Sequence, residues 1–218
     1  GALRPLWGTW LVDHTRLAAL DLPGNVTDLF ARRVDSAGEK ARAILTAAAV
    51  VDMTFRPEFV AEVCAVDVSQ VHAVCVEATQ CHLVEPGSDG AIAFVHERIR
   101  EVLLAELDES ARRALHQRVA EAMDTGSHDT APPGHAYPVA RHYLAGEVGH
   151  TPERAVRTGI TAASLALAEG AAADAIGFLD RVAAVADAEG VALGADFHTV
   201  LGTACVRTGQ FTRGDEHL

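Results

Sequence analysis

A pattern of small residues that recurs after 39 positions is the feature that most constrains how this chain can fold. Gly170 in the first copy corresponds to Gly209 in the second. Small residues flank both glycines at matching positions, namely Ala163 and Ala175 around the first and Gly202 and Gly214 around the second. Such matching is typical of helices that pack closely in pairs. From about residue 153 onward the sequence therefore predicts degenerate helix-pair repeats.

The repeated unit is 39 residues long, against 34 in a tetratricopeptide repeat, and the excess fits the loose connection at residues 188–195. Larger apolar residues also correspond, Leu167 with Val206 and Leu179 with Leu218. The second copy reaches Leu218 inside its expected second helix, and half a repeat cannot bury its apolar face. We therefore expect these residues to belong to a longer chain.

Composition favours a helical protein with an acidic surface. Of the 218 residues 49% are hydrophobic, 5% are aromatic, and acidic residues outnumber basic ones by 30 to 18. The net charge of −12 should repel nucleic acid and anionic membranes. The N-terminus lacks the basic start and long apolar centre of a signal peptide, and no apolar run reaches the length of a membrane span. We expect a cytoplasmic location and no membrane partner.

Before the repeats, the apolar spacing predicts several short helices and then a β-hairpin. Residues 1–24 show no sustained period and look like the tail of a preceding domain or a linker. A short helix capped by Asn25 comes next. Three helices follow, starting at Ser36 with Glu39 as a capping box, at Pro57, and at Asp67. The turn in residues 86–90 then separates two short strands.

Three helices followed by a hairpin predict a winged-helix domain over residues 25–106, and an α-helical, tetratricopeptide-like repeat array over residues 107–218. The predicted fold class is mainly α. Many winged helices read DNA through their third helix. Between Met53 and Ala93, however, Arg56 is the one basic residue against six acids. A surface that faces phosphates needs the opposite balance, so the domain is predicted to contact protein rather than nucleic acid.

The stretch that most suggests chemistry is FVHERIREVLLAEL, residues 94–107. His96 stands where an apolar run gives way to an amphipathic helix. An imidazole there lies beside the unpaired backbone N–H groups and the positive end of the helix dipole, a place that favours anions such as phosphate. The simpler interpretation is that His96 bonds a loop carbonyl.

Two other patterns are weaker. His72, Cys75, Thr79 and His82 share one helix face, but a tight metal site normally draws ligands from a second segment as well. Residues 127–129 read Ser-His-Asp, yet adjacent residues cannot converge as a catalytic triad. The four cysteines lack CxxC spacing and are expected to be reduced core residues. We predict no catalytic and no metal-binding residues in this chain.

Five segments in a fixed order carry a family resemblance. They read LPGNVTDLFARRV, AILTAAAVVDMTFRPEFVAEVC, CHLVEPGSDGAIAFVHERIREVLLAEL, ARRALHQRVAEAM and ARHYLAG, and helix-pair repeats follow them. This order resembles the region after the nucleotide-binding core in STAND signal-transduction ATPases, and most closely the large LuxR-type regulators and their relatives fused to kinase or cyclase domains. The resemblance covers roughly residues 22–218. Its most specific part is the His-x-x-x-Arg-Glu spacing of His96, Arg100 and Glu101.

The resemblance implies a nucleotide sensor. In that family a winged helix folds back on the ATPase core, and a histidine at the place of His96 contacts the phosphates of bound ADP. His96 would be that sensor, while Arg100 and Glu101, one turn later, would assist it or brace the helix. The chain has no GxxxxGK[ST] loop, and its one lysine, Lys40, follows Glu39. ADP or ATP with Mg²⁺ is therefore implied for the parent chain, and no cofactor for these residues alone.

The sequence leaves three functions open. The main hypothesis is a regulatory arm that couples the nucleotide state of an upstream ATPase core to a protein or small-molecule inducer bound by the repeats, in transcriptional regulation or signalling. The second is a helical-repeat scaffold for protein interaction with no nucleotide link. The third is a winged-helix module that binds DNA. Catalysis by these 218 residues is not expected, although the parent chain would be an ATPase.

Overall fold

A computed structural model describes residues 3–6, 9–12, 31–34, 37–124 and 135–217, and these are mainly helical, as the sequence predicts. The elements are β1 Leu3–Leu6, β2 Thr9–Val12, α1 Glu39–Val51, β3 Thr54–Phe55, α2 Pro57–Cys64, α3 Val68–Gln80, β4 Val84–Pro86, β5 Ile92–Phe94, α4 Glu97–Ala105, α5 Glu109–Asp124, α6 Ala136–Ala145, α7 Pro152–Ala168, α8 Ala172–Glu189, α9 Ala195–Arg207 and α10 Phe211–Asp215. Residues 31–34 are also helical. The predicted cap Asn25, Ser36, residues 127–129 and Leu218 lie outside the described residues.

The N-terminal hairpin is a feature that hydrophobic periodicity does not signal. β1 and β2 pair antiparallel, with Leu3 opposite Val12 and Leu6 opposite Thr9. A hairpin is held by its backbone ladder, which needs no alternation of apolar side chains. Residues 1–24 thus contain regular structure although their sequence shows no sustained period.

The helix starts predicted from capping residues are partly confirmed. Pro57 occupies the first turn of α2, and the Asp67 carboxylate accepts a hydrogen bond from the Ser69 N–H at 2.8 Å to cap α3. α1 begins at Glu39 with Gly38 as its N-cap, which is later in the chain than the start predicted at Ser36. Gly38 has a φ of 81°, a backbone conformation that other residues rarely adopt.

The predicted hairpin is confirmed and belongs to a three-stranded sheet. β4 and β5 pair antiparallel with Val84 opposite Phe94, and β3, between α1 and α2, pairs with the other edge of β5. The order along the chain is therefore helix, strand, helix, helix, hairpin, with the strands arranged β3-β5-β4 in space.

One hydrophobic core joins these helices to the sheet and to α4 and α5. Its fully buried large side chains are Leu45, Val60, Val71, Leu83, Ile99 and Leu103. Leu115 and Val119 of α5 are buried in the same cluster. Packing of α5 on this core brings the side chains of α5 next to α4, which matters for the sites described below.

The 39-residue repeat is visible as a repeated backbone turn. The N–H of Ala171 donates to the carbonyl of Ala166 at 2.8 Å, and the corresponding N–H of Gln210 donates to Cys205 at the same distance. Gly170 and Gly209 both have positive φ, 86° and 77°. Two identical turns between α7 and α8 and between α9 and α10 follow from the matching glycines, because a left-handed residue is needed at each of these helix ends.

The helices of the second half share a separate core. Buried residues of α7, α8 and α9 meet around Leu179, Phe197 and Leu201. Contact between α7 and α8 is close at Gly159, where an added Cβ would lie 2.3 Å from Cγ2 of Val182. The small residues singled out by the repeat, among them Ala163, Ala175, Gly202 and Gly214, are buried at the helix contacts as predicted.

Among the described residues, no single helix is both long and apolar enough to cross a membrane. α2 and α3 reach that length and composition only when added together, and they are bent by 120° at their junction.

Candidate functional site

His96 joins β5 to α4 and is the N-cap of that helix. Its backbone is extended, with φ −154° and ψ 140°, and its Nδ1 accepts a hydrogen bond from the Arg98 N–H at 3.0 Å. Because Nδ1 accepts, the ring proton of the neutral imidazole lies on Nε2, which is then a donor. The side chain is exposed. The histidine therefore lies at the strand-to-helix junction that the sequence predicts, and its Nδ1 caps the helix through the Arg98 N–H.

Arg100 lies one turn after His96 and faces the interior of the molecule. Its Nε donates to the carbonyl of Ala49 at 2.7 Å, and its Nη1 donates to Glu97 at 2.8 Å. Only 22% of the side chain is exposed. Since Ala49 is in the last turn of α1, the guanidinium supplies a donor to one of the carbonyls that a helix end leaves without an intrahelical partner. Arg100 thereby ties α4 to α1.

Arg98 and Glu101 of α4 form an exposed ion pair. Nη1 of Arg98 lies 2.7 Å from Oε2 of Glu101, and the two side chains are about half exposed. Such pairs one turn apart stabilise a helix weakly. Glu101, the third residue of the predicted motif, therefore pairs on the surface of α4 and does not reach Arg100.

A pair of buried histidines, His116 of α5 and His142 of α6, was missed by the sequence-based predictions. Their Nδ1 atoms are 2.8 Å apart, and their ring centroids are separated by 4.9 Å. One ring donates and the other accepts, so at least the accepting ring is neutral in this arrangement. The residues are 26 positions apart in the chain, and no local sequence pattern predicts that the packing of α5 on α6 brings them together.

Burial lowers the pKa of both histidines. The pKa of His142 falls to about 3, chiefly through burial, with His116 and Arg141 adding to the effect. The pKa of His116 falls to about 4, again chiefly through burial, followed by the charges of Arg141, Arg112, Arg181 and Arg100. Each ring is thus held neutral at physiological pH, and His116 lies in a field set by four arginines.

A second histidine pair lies in the second half of the chain. Nδ1 of His198 is 2.9 Å from Nδ1 of His217, and the rings are stacked with centroids 5.1 Å apart. Phe197 meets both rings edge on. Each histidine pair consists of only two side chains. Over the described part of the chain, no group of three or more histidine, cysteine or acidic side chains is placed to hold a metal ion.

The helix face considered for metal binding does not form a site. His72 is exposed with its Nε2 3.8 Å from Glu58, whereas Cys75 is buried. The Thr79 hydroxyl donates to the carbonyl of Cys75, and His82 lies beyond the end of α3 in a left-handed conformation. The four cysteines are free, and burial raises the pKa of Cys75 to about 11, as expected for an inert core thiol.

The exposed surface around α3 is acidic. Glu58 and Glu62 of α2, Glu77 of α3 and Glu85 of β4 are all exposed. The exposed residues of α3 itself include Val68 and Val76, 38% and 59% exposed, and no arginine or lysine. A helix with this face offers no cation to a phosphate backbone.

A scan against known protein families, a search of curated proteins and a search of solved structures find no match for this chain.

Proposed function

We propose that residues 1–218 are the regulatory arm of a STAND-type ATPase, in which a winged helix responds to the nucleotide state of an upstream core and a tetratricopeptide-like array binds an inducer or partner. The observation that carries the proposal is the position of His96. It is an exposed imidazole with its Nε2 as donor, fixed at the N-terminus of α4 by its bond to the Arg98 N–H.

The chain order supports the winged-helix assignment. α1, β3, α2, α3 and the β4–β5 hairpin follow one another as in a winged helix, with β3 completing the sheet. The repeated turns at Gly170 and Gly209 support helix-pair repeats. In the proposed arm, α5 packs on the first core and α7 to α10 follow it.

The geometry gives His96 and Arg100 different roles in this proposal. His96 would contact the nucleotide, since a helix N-terminus and a ring N–H both favour phosphate oxygens. Arg100 would be a positioning residue, because its Nε is bonded to Ala49 and its Nη1 to Glu97. It holds α4 on α1 and so fixes the direction in which His96 points.

The energy available to His96 limits what it can do alone. Moving a two-state equilibrium from about 1:99 to 99:1 takes about 5.5 kcal/mol of differential binding. One charge-assisted hydrogen bond contributes about 1.5 to 3 kcal/mol. His96 would therefore bias such a switch, and contacts between the winged helix and the ATPase core would supply the rest.

The alternative is a helical-repeat scaffold without a nucleotide link, which the paired helices of the second half would serve equally well. DNA binding by the winged helix is less favoured, because the exposed face of α3 carries no basic residue and its surroundings are acidic. The regulatory role proposed here requires no catalysis by these residues.

The test is calorimetric titration of ADP into the natural protein with the sequence upstream of Gly1 included. That sequence must encode a GxxxxGK[ST] loop, and its absence would overturn the proposal in favour of the scaffold. Three proteins are compared: the parent, His96→Ala and His96→Asn. Asparagine is a good N-cap, so this variant keeps α4 capped and removes only the imidazole.

If His96 senses the nucleotide, both variants should bind ADP about tenfold more weakly than the parent, which corresponds to about 1.4 kcal/mol. Loss in His96→Ala alone would mean that the histidine acts only as a helix cap. Unchanged binding in both variants would remove His96 from the site. Saturable, salt-sensitive binding of duplex DNA to residues 1–218 would instead favour the DNA-binding alternative.

A further inference from the structure

A cleft of about 1060 Å³ lies away from His96, where α5, the segment that joins α6 to α7, and the end of α8 meet. Its α5 wall contains Arg112, Arg113 and His116. Its apolar lining comes from the end of α6, the joining segment and α8, namely Leu144, Ala145, Val148, Ala184, Val185 and Ala188. Neither His96 nor Arg100 lines this space. A cavity of this size, half apolar and with a few polar groups on one wall, is suited to a small organic ligand.

Two of the three carboxylates in the cleft lie against side chains of their own segment. Glu109 accepts a hydrogen bond from Nε of Arg113 at 2.9 Å, and Glu147 lies 3.2 Å from Nδ1 of His150. The third acid, Glu189, comes from α8 and lies against Gly149, on the side of the joining segment. The acids of the lining therefore leave Arg112 without a partner on the α5 wall.

Arg112 has a hydrogen-bond donor that the described residues leave unsatisfied. Its Nη2 donates to the carbonyl of Leu104 at 2.8 Å, but its Nε is buried and has no hydrogen-bond acceptor among the described residues. A buried donor without an acceptor is costly, and a turn of the guanidinium toward an oxygen of a bound ligand would remove that cost.

His116 adds a neutral donor or acceptor beside this arginine. Its Nδ1 is engaged by His142, which leaves Nε2 as the ring nitrogen available to a ligand. Arginines of α4, α5, α6 and α8, led by Arg141 and Arg112, lower its pKa, so the ring on the α5 wall lies in a positive field. In a chain with a net charge of −12, this wall is a local exception.

The same wall is bonded directly to α4. Arg112 donates to the carbonyl of Leu104, in the last turn of α4, and Arg100 ties α4 to α1. A ligand that draws the Arg112 guanidinium toward the cleft would change the hydrogen bond to Leu104. The end of α4 opposite to His96 would then respond to occupancy of the cleft.

We propose that this cleft binds a small organic oxyanion, a carboxylate or a phosphate ester, at Arg112 and His116, and that its occupancy is transmitted to α4 through the Arg112–Leu104 hydrogen bond. The proposal deepens the regulatory role given above, because it assigns the inducer of the arm a chemical class and a place. The binding step itself does not require an ATPase core.

The first experiment is calorimetric titration of residues 1–218 with two probes, inorganic pyrophosphate and citrate, at pH 7.5 in 150 mM NaCl. Salt at this concentration screens weak attraction between exposed charges. We expect saturable binding of at least one probe, and the preferred probe distinguishes a phosphate ligand from a carboxylate ligand. Absence of saturable binding by both would overturn the proposal.

Arg112→Gln is the test variant, and Arg118→Gln is its matched control. Arg118 is an exposed arginine on the same helix that does not line the cleft. We expect Arg112→Gln to weaken binding about tenfold or more and Arg118→Gln to leave it unchanged. Equal loss in both variants would mean that binding reports only the overall charge, and would overturn the site.

Two measurements on the unmodified chain keep the proposal testable if Arg112→Gln fails to fold. The imidazole resonance of His116, assigned by its loss in His116→Gln, should shift as the probe saturates. Hydrogen exchange of the amides at the end of α4 should change in the same titration. A His116 resonance that does not move would overturn the site, and unchanged exchange in α4 would overturn the transmission to α4. Both outcomes are separate from the ADP titration, which tests His96 in the longer protein.

Discussion

Nδ1 of His142 lies 2.8 Å from Nδ1 of His116, so α5 and α6 are joined by two imidazoles that cannot both be protonated. His142 has no exposed surface and His116 lines the large cleft. The pair therefore lies between the first core and the repeats, next to the proposed ligand site. Its protonation should disturb this junction.

The histidine pair predicts an acid-sensitive fold. The pKa values of about 4 and about 3 lie below the value of about 6.5 expected in the unfolded chain. As pH falls from 6.5 toward 4, the two histidines bind protons in the unfolded state but remain neutral in the folded state. The free energy of unfolding therefore decreases. The loss should be a few kcal/mol, because one pKa unit corresponds to about 1.4 kcal/mol and the partial exposure of His116 reduces its contribution.

The measurement is urea denaturation at several pH values between 7 and 4 of the parent and of the His116→Leu/His142→Leu double variant. The double variant should lose less stability over this range than the parent does, whatever its stability at pH 7. His72→Gln, which changes an exposed histidine, should keep the parent slope. An equal slope in parent and double variant would show that the pair does not control the acid response.

Gly159→Ala should destabilise the contact between α7 and α8. The new methyl group would lie 2.3 Å from Cγ2 of Val182, and overpacking of this kind costs about 1 to 3 kcal/mol. Val182→Ala in the same chain should recover part of the loss. The control is Gly177→Ala in α8, where an added Cβ meets no atom within 4 Å and the helix should gain up to about 1 kcal/mol. Chemical denaturation measures all three, and a stable Gly159→Ala would contradict the close approach.

Arg100→Gln should destabilise the attachment of α4 to α1. The change removes the donor to the Ala49 carbonyl and the bond to Glu97, at a cost of about 1 to 3 kcal/mol. Arg98→Gln removes an ion pair whose two side chains are about half exposed, and should cost less than about 1 kcal/mol. The free energies of unfolding of the two variants compare them directly. Equal losses would mean that the buried bond to α1 contributes little.

His96→Ala should loosen the first turn of α4. Loss of the side-chain acceptor for the Arg98 N–H should cost about 1 kcal/mol, while His96→Asn should stay within a few tenths of the parent. Hydrogen exchange of the first α4 amides reports the same change locally. If His96→Ala exchanged like the parent, the cap would be without energetic effect, and a loss of ADP affinity in that variant could be assigned to the imidazole alone.

Local patterns predicted much of the architecture. Asp67 and Pro57 predicted where two helices start. The matching glycines predicted the repeated turn, because φ near 80° is accessible to few other residues. α1 begins later than the start predicted at Ser36, since two chemically suitable residues at the right spacing do not decide at which residue a helix begins.

The candidate site was predicted in position and only partly in arrangement. His96 does stand at the start of a helix, as the change from apolar run to amphipathic period indicates. The spacing of Arg100 after His96 predicted that it would assist His96 or brace the helix. Its guanidinium is bonded to Ala49 of α1, 51 residues earlier in the chain. That bond depends on how α4 packs on the core, which a local spacing does not encode.

What the sequence determined by itself was whatever depends on neighbours along the chain: the helices and their apolar faces, the hairpin, the position of His96 and the 39-residue repeat. The tertiary structure alone decided which distant groups meet, among them His116 with His142 and Arg112 with the end of α4. The physical reason is that periodicity and capping act within a few residues, whereas a cleft or a buried polar pair is created only when whole helices pack.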